Sequence, residues 1–266
     1  MSGGLLTDRA ARAGWISRRL TNLWLYVQPL VALLVVWWAV SGLRLIPRQA
    51  LPTPVNVGGA ILTLLTDGAL ASTIATTITR VVLAFALALV VGFAIGMAMS
   101  QFTIVEWFFD PIISISFPIP KVTLVPIYVL WFGFGTVSTV ALAATSALFP
   151  VAIGTYNGTK AVEEKLIWSA QSMGLSRLQT SFKVVLPAAL PDILNGVQIS
   201  LFLSFVVVVV AEMVTAGSGL GRVLVESVRF FETPTAIAAV VVIGVFGLVF
   251  DKLFRVIRGR LLRWTE

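Results

Sequence analysis

The chain has 266 residues, 58% of them hydrophobic and only 12% charged, with a mean hydropathy of +0.98. A soluble domain carries charge on roughly a quarter of its residues, so this composition is that of an integral membrane protein. Cys and His are both absent, which excludes disulfides, thiol nucleophiles, His general bases and the common Cys/His metal sites. The net charge of +7 comes without any basic patch interleaved with stacking aromatics, so it reads as cytoplasmic loops facing anionic lipid, not as a nucleic-acid surface.

The apolar runs are long and unbroken, which favours an all-α polytopic helical bundle over an outer-membrane barrel. In windows of about 20 apolar residues, a first span runs from Leu23 to Gly42 behind the basic flank "RAARAGWISRR". Its apolar core is too long for a cleaved signal peptide, and no small-residue cleavage site follows. The stretch "LIPRQALPTPVNVGGAILTLLTDG" then reads as an exposed loop with a short amphipathic helix. A second span covers Val81 to Met99 and carries Gly92 and Gly96 on one helical face, a small-xxx-small surface expected to pack within one subunit. The third, Ile104 to Phe132, contains Pro111, Pro118, Pro120 and Pro126; the fourth is Val137 to Ile153, the fifth Ile193 to Val214 and the sixth Ile237 to Phe254.

Six spans put both termini on one side, and the basic residues say which. With the N-terminus inside, Arg9, Arg12, Arg18, Arg19, Lys160, Lys165, Arg177, Lys183, Lys252, Arg255, Arg258, Arg260 and Arg263 are cytoplasmic, while Arg44, Arg48, Arg80, Arg222 and Arg229 are outside. That is thirteen against five. The expected organisation is a cytoplasmic N-terminal segment over 1–22, a transmembrane domain over 23–254 with a cytoplasmic loop near 157–190, and a cytoplasmic tail over 255–266.

Several residues within the spans stand out. "FPIPKVTLVP" cannot be a regular helix, because each Pro removes a backbone donor and clashes with the preceding turn. Pro118, Pro120 and Pro126 therefore mark either a structural kink or a broken segment bordering a translocation path. Lys121 lies in the same stretch, either snorkelling to an interface or facing that path. Glu212 follows "FLSFVVVVVA" and must face a partner, a cavity or the outer interface; a hinge, gate or hydrogen-bonding role suits it better than contact with an anion. Gly217, Gly219 and Gly221 in "TAGSGLG" form either a plain connector or a flexible element at an outer gate. The terminal "RVIRGRLLRW" reads as a helix end against anionic headgroups.

The cytoplasmic stretch "WSAQSMGLSRLQTSFKVVLP" is too polar to enter lipid. It reads as helix, turn at Gly174, then a second helix broken by Pro187 and Pro191 before the fifth span. Its spacing resembles the cytoplasmic loop of ATP-binding-cassette importer permeases, whose pattern is Glu-Ala-Ala, three residues, Gly, nine residues, Ile, one residue, Leu-Pro. Trp168, Ser169 and Ala170 occupy the first three places, Gly174 the fourth, and Val184, Leu186 and Pro187 the last three. Trp168 stands where the family has Glu, and Ser169 where it has Ala. Together with "LPTPVNV", "DPIISISFPIPKVTLVPIYVLWFGFG" and "AEMVTAGSGLG", the chain from about Leu51 to Asp251 resembles the permeases for sulfonates, taurine, nitrate, bicarbonate and some heterocyclic precursors.

The resemblance implies a type I importer permease in the bacterial inner membrane. It would work as a homodimer, with two cytoplasmic ATPase subunits gripping the loop and an external binding protein delivering substrate. No cofactor is expected in this chain; ATP and magnesium belong to the partner, and the chain has no GxxxxGK[ST] phosphate cradle. The competing readings are a secondary transporter or channel, which needs an ion relay through several spans, and an embedded enzyme. The adjacent acidic pair Glu163 and Glu164 lies in the loop and offers no such centre.

Overall fold

The computed structural model describes residues 28–47, 49–66, 68–215 and 217–263, so the expected N-terminal segment and the start of the first span lie outside the described residues. Among these residues every regular element is a helix, and there is no strand. Helix α1 is Gln28–Gly42, α2 Pro54–Thr66, α3 Ala69–Gln101, α4 Thr103–Ser116 and α5 Val125–Phe132. Helix α6 is Thr136–Lys160, α7 Glu164–Ser172, α8 Arg177–Thr180, α9 Leu186–Thr215, α10 Leu220–Arg229 and α11 Thr233–Leu261.

Four uninterrupted helical stretches are long and apolar enough to cross a membrane: Leu70–Gln101, Thr136–Lys160, Arg177–Thr215 and Thr233–Leu261. The expected third span is α4 and α5, bent by 92° around Pro118 and Pro120. A 3₁₀ turn, Lys121–Leu124, leads into α5, as the proline spacing predicts. Helix α1 is the described part of the expected first span.

Two helices run well beyond their apolar windows. Helix α3 starts twelve residues before Val81, and two polar residues of that extension, Thr77 and Arg80, are buried on neighbouring elements. Arg80, expected outside, is 3% exposed within the helix. The second correction concerns Pro187 and Pro191, which do not break the chain before the fifth span. Pro187 follows directly on a π turn, Ser181–Val185, that joins α8 to α9, and Pro191 lies inside α9 without ending it. A π turn widens the backbone ring and gives room for the pyrrolidine without ending the helix.

Helix α6 is the centre of the bundle. Two-thirds of its apolar window (67%) is buried, against 17% for α11. Lipid tails are as apolar as Leu, so helices associate by close packing and not by a hydrophobic drive, and the α3–α6–α9 seam is built accordingly. A Cβ at Gly92 would lie 2.6 Å from the Leu148 carbonyl oxygen and 2.9 Å from Val151 Cβ. Gly96 meets Ala152 and Thr155 in the same way. On the other side of α6, a Cβ at Gly154 would lie 2.9 Å from Gly196 Cα on α9, and one at Gly158 2.9 Å from Asp192 Cβ. The small-xxx-small pair of the second span thus packs inside one subunit.

Gly92→Ala is expected to lower stability by about 1–3 kcal/mol through overpacking. Gly58→Ala on α2, with no atom within 4 Å of its new Cβ, should be neutral or stabilising by up to about 1 kcal/mol. Thermal unfolding of the two variants in detergent compares them directly; equal midpoints would remove the seam's claim to stability.

Candidate functional site

The loop between α6 and α9 presents an apolar face on a polar scaffold. On α7, Ala170 is buried against the bundle at 2% exposure, while Trp168 is 60% exposed. Leu166, Met173, Leu178 and Phe182 are also exposed on this loop. Met173 and Gly174 donate their N–H groups to the Ser169 and Gln171 carbonyls, closing α7. Gly174 then takes φ +88°, a left-handed turn that a β-branched residue would strain. Helix α8 begins with a capping box: the Gln179 N–H donates to Ser176 Oγ, and the Ser176 N–H donates to Gln179 Oε1. Ser169 and Pro187 are exposed, Val184 half-buried, and Leu186 packs against the cluster of Ala189, Ile193 and Phe254. A cavity of about 390 Å³ lies behind the loop, bounded by Ser100, Thr159, Gln171 and Arg177 among others. The loop is therefore anchored through Ala170 and Leu186 and loosely backed between them.

At the other end of α9, Glu212 is wholly buried. Arg80 Nη1 donates to Glu212 Oε1 at 2.8 Å and to the Ser218 carbonyl at 2.8 Å. Its Nη2 donates to Ser218 Oγ at 2.8 Å and to Thr136 Oγ1 at 3.2 Å, and Nε to Thr136 Oγ1 at 3.2 Å. All five guanidinium N–H groups have acceptors. The Thr77 hydroxyl lies 2.9 Å from Glu212 Oε2 and accepts the Leu220 N–H at 2.9 Å. The Gly221 N–H completes the carboxylate shell at 3.2 Å. Gly219 has φ +105°, and a Cβ there would fall onto the Glu212 carboxylate; one at Gly221 would strike the Val209 carbonyl and Glu212 Cβ. These two glycines are pinned against the ion pair. Gly217 sits apart, its carbonyl accepting from Arg222 Nη1 at 2.8 Å.

The third group of expected residues gathers at the α4–α5 bend. Lys121 Nζ donates to the carbonyls of Ser116 and Ile119 and lies 5.0 Å from the Phe149 ring centroid. The ammonium supplies donors to the C-terminal carbonyls of α4, where Pro118 and Pro120 have none to give, with a cation–π contact beneath it. Pro118, Pro120 and Pro126 are exposed in the single chain.

Residues 88–263 match the family described as "Binding-protein-dependent transport system inner membrane component". The chain belongs to that family. It is 34% identical over 97% of its length to the taurine transport system permease protein TauC of Escherichia coli (strain K12), covering 95% of that protein. It is 33% identical over 88% of its length to SsuC of Bacillus subtilis (strain 168), provisionally named as an aliphatic sulfonates transport permease, covering 85% of it. A crystal structure of an amino acid ABC transporter with histidines shares the fold: its chain superposes with a TM-score of 0.63 at 20% identity, covering 75% of this chain and 98% of that one. The protein is thus a permease subunit of an ABC importer, a multi-pass membrane protein and a transport component whose ATPase is a separate subunit.

In this permease the sequence pointed to Glu212 but not to its partner. The hydropathy window ended just short of Arg80, which went to the outer flank. A readable signal existed: Thr73, Thr77 and Arg80 recur at helical spacing on one face of an otherwise apolar helix.

Arg80→Ala would leave a buried carboxylate unpaired, a loss expected at about 3–5 kcal/mol. The Arg80→Ala/Glu212→Ala double variant should be clearly less destabilised than the sum of the singles. Denaturation of the four proteins in one detergent gives the cycle; strict additivity would mean that the two groups do not act as a pair.

Proposed function

We propose that this permease imports a small organosulfonate of the taurine or alkanesulfonate type, as a homodimer served by two ATPase subunits and an external binding protein, with both termini cytoplasmic. The observation that carries the substrate class is the near-full-length similarity to the taurine permease, seconded by the aliphatic sulfonate permease. Nitrate, bicarbonate and heterocyclic precursors are the competing cargoes. The reading without ATP is weakened by the fate of the charges within the spans. Arg80 and Glu212 satisfy one another and Lys121 is held by backbone carbonyls, so none of the three is free to relay ions.

The mechanism is alternating access driven from the cytoplasm. Closure of the ATPase pair displaces α7, whose exposed Trp168 serves as an apolar anchor in the partner's groove where related permeases carry a carboxylate. The Gly174 turn passes the displacement to α8, and the helix from Arg177 to Thr215 carries it to the Glu212 end, where the Gly217–Gly221 segment, tied to the Arg80–Glu212 pair, moves together with that cluster to open or close the outer side. Pro118, Pro120 and Pro126 border the path on this reading, with Lys121 holding the bend instead of meeting cargo.

Two experiments test it. Trp168→Ala should weaken ATPase pull-down by about 2 kcal/mol or more, while Trp168→Phe is tolerated; a cysteine at Ser172 should crosslink to the ATPase and should not be labelled from outside intact cells. Full ATPase capture by Trp168→Ala, or labelling from outside, would overturn the coupling assignment. Separately, the reconstituted importer with its binding protein should take up radiolabelled taurine or an alkanesulfonate in an ATP-dependent manner. Uptake of nitrate or bicarbonate with no sulfonate uptake would overturn the substrate class and leave the coupling result standing.

A further inference from the structure

A groove of about 800 Å³ lies between α9 and α11, and the transport reading does not use it. Its walls are apolar, Phe202, Phe205, Ile243 and Leu248 among them. Its floor is open because α11 carries glycine twice at one turn's spacing. A Cβ at Gly244 would meet nothing within 4 Å, and one at Gly247 only the Phe205 ring edge at 3.5 Å.

One end of the groove is polar, and it is the end toward the basic terminus of α11. There Gln198 Nε2 donates to Asp251 Oδ1 at 3.1 Å, Arg255 pairs with Asp251, and Arg258 Nη1 reaches Gln198 Oε1 at 3.3 Å. Residues 244, 247, 251, 255 and 258 follow one another at three- and four-residue steps, so the face that lines the groove continues directly into Arg255 and Arg258. Arg255 offsets Asp251, and Arg258 leaves the mouth net positive. Each guanidinium keeps N–H groups beyond those named, in the fork geometry that matches phosphate oxygens.

We propose that this groove is a binding site for an anionic phospholipid, with an acyl chain lying along the apolar trough and the phosphate held at its mouth by Arg255 and Arg258. This is a defined site, distinct from diffuse attraction of the basic tail to headgroups. A helix of a second copy suits the groove less well. The cytoplasmic flanks of the first and last spans are both basic, "RAARAGWISRR" and "RVIRGRLLRW", and either would bring like charge to an already basic mouth.

The test uses the full-length permease in complex with its ATPase, in nanodiscs mixing dioleoylphosphatidylglycerol with dioleoylphosphatidylcholine, with retained lipid read by native mass spectrometry. Phosphatidylglycerol should be retained in preference. The Arg255→Gln/Arg258→Gln variant should lose that preference by about 25-fold, from roughly fivefold per arginine at a membrane surface. Gly244→Leu, which fills the trough, should reduce phosphatidylglycerol retention while subunit stoichiometry and unfolding midpoint stay unchanged. Three results would each overturn the proposal: no preference in the parent protein; loss in the arginine variant with full retention in Gly244→Leu, which indicates headgroup attraction alone; or a changed stoichiometry in Gly244→Leu, which assigns the groove to a second copy.

Discussion

A guanidinium and a carboxylate held 2.8 Å apart almost without solvent set the terms for the half of this bundle around the C-terminal end of α9. Removing two such ions from water costs several kcal/mol each, and their attraction offsets that only when the remaining donors and acceptors are also satisfied. Here the satisfaction is drawn from four elements: Thr77 and Arg80 on α3, Thr136 at the start of α6, Glu212 on α9, and the Ser218–Gly221 segment leading into α10. None of them can shift alone without stripping a partner from a buried charge. The glycines between α9 and α10 follow from the same constraint, since Gly219 and Gly221 are where the backbone must approach the carboxylate too closely for any side chain.

Below that cluster the bundle is held by backbone proximity. Gly92 and Gly96 on one side of α6, and Gly154, Gly158 and Gly196 on the other, bring three helices into contact with almost no side chain between them. Such a seam gains dispersion over many short contacts and tolerates little added volume. Helix α11 is its opposite, with long side chains, an open trough and little burial. The permease therefore has a stiff inner triad of α3, α6 and α9 and a loosely attached outer helix.

What the sequence disclosed divides along the range of the interactions. The helical bundle, the broken third span, the Gly174 turn and the close-packing face of Gly92 and Gly96 rest on local chemistry, so composition and spacing were enough. The ion pair joins residues 132 positions apart, and no local rule pairs Arg80 with Glu212. Apolar windows also mark where lipid begins, which differs from where a helix begins. A 33-residue helix is about 50 Å long against a hydrocarbon core of about 30 Å, and the surplus turns of α3 are those that carry Thr77 and Arg80. Pro187 misled for a related reason: a π turn just before it can absorb a missing N–H, and nothing in "SFKVVLP" announces it.

The geometry of α9 links the two ends of the molecule. From Arg177 to Thr215 the helix is continuous over 39 residues, about 58 Å at helical rise, with the α7–α8 loop at one end and the Arg80–Glu212 cluster at the other. A displacement entering at Gly174 cannot dissipate in the middle of this rod, because Gly196 is in contact with Pro150 and Gly154 of α6 and any slide must carry α6 along or repack the seam. The compliant points are the π turn at Ser181–Val185 and the cavity behind the loop, both between the loop and the seam. Small motions of the loop are absorbed there. Larger ones act on α6 and α9 together, and those two helices supply Thr136 and Glu212 to the same buried cluster, so the cluster registers motion of the pair relative to α3 and not motion within it.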